Sequence, residues 1–192
     1  MNKYLLVGLG NIGAEYAHTR HNIGFDVLDA FAQKRAISFR NDRLAEVAEC
    51  SVRGRQVISI KPTTFMNASG RAVKYWMDRE RIAMENILVI VDEVALPLDR
   101  LRLRGSGSSG GHNGLRSIEE HLLSENYPRV RMGVGNNYPK GMQVEYVLGR
   151  WENAEIPLVL KKINVCTELV ETFVQQGISA AMNTFNKISV SL

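Results

Sequence analysis

Apolar runs and helix-spaced apolar positions alternate along this chain. Leu5-Leu6-Val7 predicts a strand near residues 3 to 9, after which Ile23, Val27, Leu28 and Phe31 recur on one helical face and predict a helix near 23 to 35. By the same reading, strands fall near 45 to 52, 56 to 61, 86 to 91 and 129 to 135. Helices fall near 68 to 79, 113 to 123, 155 to 175 and 178 to 186. Strands alternating with helices argue an α/β fold, a twisted, mostly parallel central sheet flanked by helices on both faces. The stretch from Val47 to Ile60, with Gly54 in its turn, also reads as a hairpin, which would make the sheet mixed. No repeat, linker or low-complexity segment divides residues 1 to 192, so a single domain is expected.

With 45% hydrophobic residues, 23% charged residues and five prolines in 192 residues, the chain can bury a core without disulfide or metal staples. Its longest apolar run, Ile87 to Val91, is far short of a membrane span. Met1-Asn2-Lys3 leads straight into the first strand with no signal-peptide core, which points to the cytoplasm and to no membrane partner. Cys50 and Cys166 lack the C-x-x-C spacing of a zinc or redox site and fall in apolar stretches, as core thiols do.

A net charge of +4 is compatible with a nucleic-acid partner, and the distribution of that charge says more. Arg100, Arg102, Arg104, Arg116, Arg129 and Arg131 crowd one stretch. If residues 100 to 104 form a strand, its period of two puts Arg100, Arg102 and Arg104 on one face. That face reads either as a solvated edge or as a stripe that contacts phosphates.

Gly8-Leu9-Gly10-Asn11-Ile12-Gly13 spells the dinucleotide fingerprint G-x-G-x-x-G, but its context fails. The helix that should start at the loop starts only after Asn22, which reads as an N-cap. The acid expected at the end of a second strand is also missing, since Asp29 falls inside the helix. The glycines then more naturally make room for a substrate at the backbone.

Four segments converge at one rim of the sheet: Asn11 with Thr19-Arg20-His21-Asn22, then Lys61 to Gly70, then Asp92-Glu93, then Gly110 to Gly114. A carboxylate ending an apolar strand needs a partner, and histidine suits it. His21 and Asp92 therefore read as base and orienter, with His112 as a rival base or a stabiliser of its own loop. His18, His21 and His112 lack metal-site spacing, so no metal and no cofactor is expected. Ser69, Ser106, Ser108 and Ser109 are candidate nucleophiles, but the serines of residues 105 to 111 read as loop flexibility, and an activated water reads as the better nucleophile. Asn11, Asn67 and Asn113 offer neutral donors and acceptors suited to a peptide-like amide or a developing oxyanion. Together these groups suggest hydrolysis of an ester or amide.

GLGNIGAEYAHTRHNIG, KPTTFMNASG and GSSGGHNGLRSI closely resemble the three signature segments of bacterial peptidyl-tRNA hydrolases, in the same order and spacing. The resemblance implies a monomeric, metal-independent esterase without an obligate protein partner that frees tRNA from peptidyl-tRNA of stalled translation. It makes His21 the base that activates water and Asp92 its orienter, with Asn11 on the peptide. Asn67 and Asn113 would position water, carbonyl and tRNA end, and Tyr16 and Phe65 would line the cleft beside His112. Arg102 and Arg104, with Arg129 or Arg131, match basic positions directed at tRNA phosphates. Residues 105 to 111 and 136 to 147 resemble a gate and a lid. Ile12, Ala95 and Asn136-Asn137 depart from the family pattern without touching a proposed catalytic residue. An RNA-binding protein on the same scaffold is the competing expectation.

Overall fold

The structure is a computed structural model and describes residues 2–192. One seven-stranded sheet organises it. Strands β1 (Lys3–Gly8), β2 (Arg40–Asp42), β3 (Ala45–Val52), β4 (Arg55–Pro62), β5 (Ile87–Glu93), β6 (Leu101–Arg104) and β7 (Arg129–Gly133) lie in the order β2-β3-β4-β1-β5-β7-β6. The four central strands β4, β1, β5 and β7 run parallel. The flanks β2-β3-β4 and β6-β7 are antiparallel, so the hairpin reading of Val47 to Ile60 holds and the sheet is mixed. The short edge strand β2 was not foreseen, because three exposed residues, Arg40, Asn41 and Asp42, carry no apolar alternation.

Helices α1 (Ile23–Lys34), α5 (Ile156–Gln176) and α6 (Ile178–Phe185) cover one face of the sheet, while α2 (Ser69–Glu80) and α3 (Asn113–Leu122) cover the other. Strand β1 shows how the period of two divides the core. Tyr4 and Leu6 pack with Phe31 and Phe173, and Leu5 and Val7 pack with Trp76 and Ile118. Each such fully buried side chain contributes roughly 1.5–3 kcal/mol. Among the described residues no helix is long and apolar enough to cross a membrane.

Two of the fingerprint glycines, Gly8 and Gly10, serve packing, which corrects for these two the expectation that they admit a substrate. A Cβ on Gly8 would stand 2.3 Å from the Gly24 carbonyl oxygen, and one on Gly24 would stand 2.5 Å from the Ile90 carbonyl oxygen. Helix α1 thus rests directly on β1 and β5 through two missing side chains. Gly10 is covered in the same way by the Phe25 ring, 2.9 Å from where its Cβ would be.

One buried cation lies outside any motif. Lys162 on α5 donates to the Leu98 carbonyl at 2.7 Å and to that of Gly133, and burial lowers its pKa to about 7. Cys166 on the same helix is fully buried and free, its thiol pushed up to about 12 by that burial, while Cys50 is free and half-buried.

Candidate active site

A cleft of about 470 Å³ opens at the carboxyl ends of β1 and β5 and includes Asn11, His21, Phe65, Asn67, Asp92 and His112. A larger cavity of about 630 Å³ lies between α1 and α5, but its walls are mainly apolar, with the His18–Asp26 pair at its edge. The smaller cleft holds the chemistry, because among the described residues it is there that a carboxylate and two imidazoles converge.

Asp92 is the sixth residue of β5, so the strand carries it into the interior, where its side chain is 3% exposed. His21 lies on a short 3₁₀ turn, Arg20–Asn22, directly before α1, and its Nδ1 meets Asp92 Oδ2 at 2.8 Å. His112, at the N-cap of α3, places Nε2 2.8 Å from Asp92 Oδ1. Burial works to raise the Asp92 pKa, but the two imidazoles outweigh it and hold the carboxyl well below the usual carboxylate range.

An ionised carboxylate only accepts hydrogen bonds, so each histidine must present an N–H to it. His112 then has no lone pair to spare, because its Nδ1 accepts the Gly114 backbone N–H at 3.1 Å. His112 is therefore a clamp on Asp92 and a cap of α3, which removes it as a rival base. His21 donates from Nδ1 and keeps the lone pair of Nε2 free. The three groups lie within 4.8 Å of one another as metal ligands would, yet the nitrogens that face Asp92 are spent as proton donors. His18 stands apart, with Nδ1 2.9 Å from Asp26, whose carboxyl is raised to about 6 by burial.

Asn11 is fixed from three sides. Asn22 accepts the Asn11 N–H and donates to the Asn11 carbonyl, both at 2.9 Å, and Asn11 Oδ1 accepts the Met66 N–H at 2.8 Å. Asn22 does stand at the N-cap position, but its side chain braces Asn11 rather than capping α1. The Met66 bond forces the Asn11 amide to turn its donor Nδ2 away from Met66, leaving it available at the cleft wall. Phe65 precedes Met66 with φ 60 and ψ 158, a strained conformation for a side chain of its size. It holds the ring 52% exposed on the cleft wall. Asn67 and Asn113, both exposed, also line the cleft.

Several sequence expectations need correction. Thr19, Arg20 and Asn22 are buried, so of that segment only His21 reaches the cleft. Tyr16 does not line it either, because the 3₁₀ turn Ala14–Tyr16, tied by Thr19 Oγ1 to the Tyr16 carbonyl, lies to one side. Arg129 is fully buried and gives its guanidinium to the carbonyls of Tyr127, Gly107 and Glu125. Arg131 pairs with Glu93 at 3.1 Å and donates to the Ser108 carbonyl at 2.7 Å. Both arginines anchor the glycine loop, since β7 is an inner strand. Strand β6 is the sheet edge, and there Arg102 and Arg104 are exposed on one face. Arg100 falls before the strand and donates to the Asn186 carbonyl, so the stripe is two arginines rather than three. The cleft also takes Gln143, Val144, Val147 and Leu148 from the five-residue helix α4 (Gln143–Val147) and its end, a segment too short for periodicity to reveal.

The chain is similar to known proteins along nearly its whole length. The profile of the peptidyl-tRNA hydrolase family matches residues 5–191. The chain is similar to the peptidyl-tRNA hydrolase of Cytophaga hutchinsonii, 54% identical over 96% of this chain and 98% of that one. It is similar to that of Bacteroides fragilis, 49% identical over 96% and 99%. The crystal structure of the peptidyl-tRNA hydrolase from Acinetobacter baumannii superposes with a TM-score of 0.92 at 36% identity, covering 98% of this chain and 96% of that one. The match runs through every element that builds the cleft, and the chain belongs to the peptidyl-tRNA hydrolase family.

Proposed function

We propose that this peptidyl-tRNA hydrolase releases the peptide by a water that His21 activates. The observation that carries the reading is the division of Asp92 between two imidazoles, which leaves His21 Nε2 as the free base at the cleft. Nε2 takes a proton from water while the water oxygen attacks the ester carbonyl. The tetrahedral centre then expels the ribose oxygen, which recovers the proton from the imidazolium. The products are tRNA with a free terminal hydroxyl and the peptide acid, which releases its remaining proton to solvent as the carboxylate. Asp92 holds the ring in the required tautomer and stabilises the imidazolium.

Asn67 supplies a donor to the developing oxyanion, and Asn113 orients the water and the tRNA end across the cleft. The free Nδ2 of Asn11 suits the carbonyl of an acylated amino group, which favours blocked over unblocked aminoacyl-tRNA. The apolar wall of Val144, Val147 and Leu148 faces the peptide, and Phe65 offers a flat ring at the opposite lip. Arg102 and Arg104, exposed on the sheet edge, meet tRNA phosphates. One chain supplies every group the cleft uses, which supports action as a monomer, and a substrate released from ribosomes supports a cytoplasmic site of action.

Hydrolysis of N-acetyl-aminoacyl-tRNA, with the unblocked ester as control, tests the reading. Wild-type protein should cleave the blocked ester only, and His21→Ala should lose cleavage while keeping tRNA binding. Tight binding of tRNA by the wild type without cleavage would instead make this chain an RNA-binding protein on the same scaffold.

A further inference from the structure

Arg20, the residue before His21, has a cation's chemistry but no contact with the cleft. Its side chain is 7% exposed and points the other way, beneath the segment that carries α4. Nη1 donates to the carbonyls of Tyr146 at 3.3 Å and Arg150 at 2.8 Å, and Nη2 donates to Glu155 Oε2 at 2.9 Å. The guanidinium lies 4.2 Å from the Tyr146 ring centroid and 5.3 Å from that of Trp151. The Arg20 backbone N–H adds a bond to the Gly149 carbonyl at 3.0 Å, and Thr19 forms an isolated bridge with Arg150.

Among the described residues, the hydrogen bonds that tie residues 146 to 155 to the turn bearing His21 therefore pass through Arg20 or its neighbours Ala17 and Thr19. Elsewhere α4 is held by Tyr146, whose hydroxyl donates to the Val134 carbonyl at 2.7 Å and whose ring centroid lies 4.9 Å from that of Tyr138, and the rest of the segment is weak by itself. Helix α4 has five residues, Met142 and Val144 expose 43% and 64% of their surface, and a helix this short has little stability of its own. Yet Val144, Val147 and Leu148 form the apolar wall of the cleft.

We infer that Arg20 is a positioning residue that latches α4 over the cleft, so that the wall gripping the peptide and the turn carrying the base move as one unit. The inference rests on the reading of the cleft as the peptide site. Its consequence is a division of labour along the chain: His21 sets the rate of the chemical step, and Arg20 sets how well the peptide side is held. An Arg does this better than a Lys, because the planar fork reaches two carbonyls and a carboxylate while stacking on the rings.

Steady-state hydrolysis of N-acetyl-leucyl-tRNA and N-acetyl-glycyl-tRNA by the full chain tests the latch, with trypsin cleavage after Lys140 and Arg150 as a direct readout of release. Arg20→Met should raise KM for the leucyl substrate about tenfold and for the glycyl substrate less, with kcat changed less than about threefold. Trypsin should cut both bonds faster, and Arg20→Lys should fall between Met and wild type. Glu155→Gln, which keeps Arg20 and removes its charged partner, should move KM and proteolysis the same way by a smaller amount, and it decides the matter alone if Arg20→Met does not fold. An unchanged leucyl-to-glycyl ratio of KM overturns the latch, as does a fall in kcat with KM unmoved, which would place the action of Arg20 on His21. A wild type that cleaves neither substrate overturns the reading of the cleft and the latch with it, whereas normal wild-type turnover with an unmoved ratio removes the latch only.

Discussion

His21 and His112 hold opposite oxygens of one buried carboxylate, each at 2.8 Å, with their ring centroids 5.1 Å apart. The same partner gives the two rings different chemistry, because His112 spends its second nitrogen on the Gly114 N–H and His21 does not. His21→Ala is expected to lower kcat by about 10²–10⁴, the usual worth of a general base. His112→Ala should cost about tenfold in kcat and, by uncapping α3, about 1 kcal/mol of stability. Single-turnover hydrolysis beside thermal unfolding separates the two effects, and an equal loss of rate from both variants would count against a clamp role for His112.

Asp92→Asn should be severe although it is nearly isosteric. An amide presents one acceptor and one donor where the two imidazoles require two acceptors, so one ring must turn or change tautomer. A fall in kcat of about 10² or more, with the circular dichroism spectrum unchanged, is expected. Because the Asp92 pKa is held low, its contribution to stability is present above the ordinary carboxyl value of 3.8 and is lost only as pH falls below it.

Lys162 gives folding its own pH signature. In the unfolded chain this amine keeps its proton to about 10.5, whereas in the folded chain it releases it near 7, so above 7 the unfolded state binds more protons. Stability should rise with pH through this window, by up to about 1.4 kcal/mol per unit. Cys166 opposes the trend from about 9, where an unfolded thiol ionises and the buried one does not. Urea unfolding between pH 7 and 9 should show the slope in the wild type and a flatter one in Lys162→Gln.

Arg102 and Arg104 should separate cleanly from Arg129. Neutralising either exposed arginine should weaken tRNA binding and reduce the slope of log affinity against log salt by about 0.7–0.9. Arg129→Gln should instead lower the melting temperature, since it strands three buried carbonyls. Salt titration of tRNA binding by the three variants distinguishes a phosphate contact from a loop anchor.

Asn67→Asp replaces a donor at the proposed oxyanion position with a negative charge. Loss of one such donor costs about 10²–10³ in kcat in other hydrolases, so the rate should fall far more than tRNA affinity. Equal losses in rate and binding would remove the oxyanion role.

The sequence by itself determined most of the alternation of elements, the apolar stripe of the main helices, and the cluster of His21, Asp92 and the asparagines at one rim. These follow from local periodicity and from the rule that a carboxylate at the end of an apolar strand needs a partner, and both are readable along the chain. Tertiary structure decided what depends on residues far apart meeting. Gly8 and Gly24 became a contact between helix and strand. Arg129 and Arg131 turned inward to hold a loop, and Arg20 reached across 126 to 135 residues to hold α4. A guanidinium reads the same in sequence whether it meets a phosphate or a buried carbonyl. Only the order of the strands, with β7 inside and β6 at the edge, separates Arg129 from Arg104.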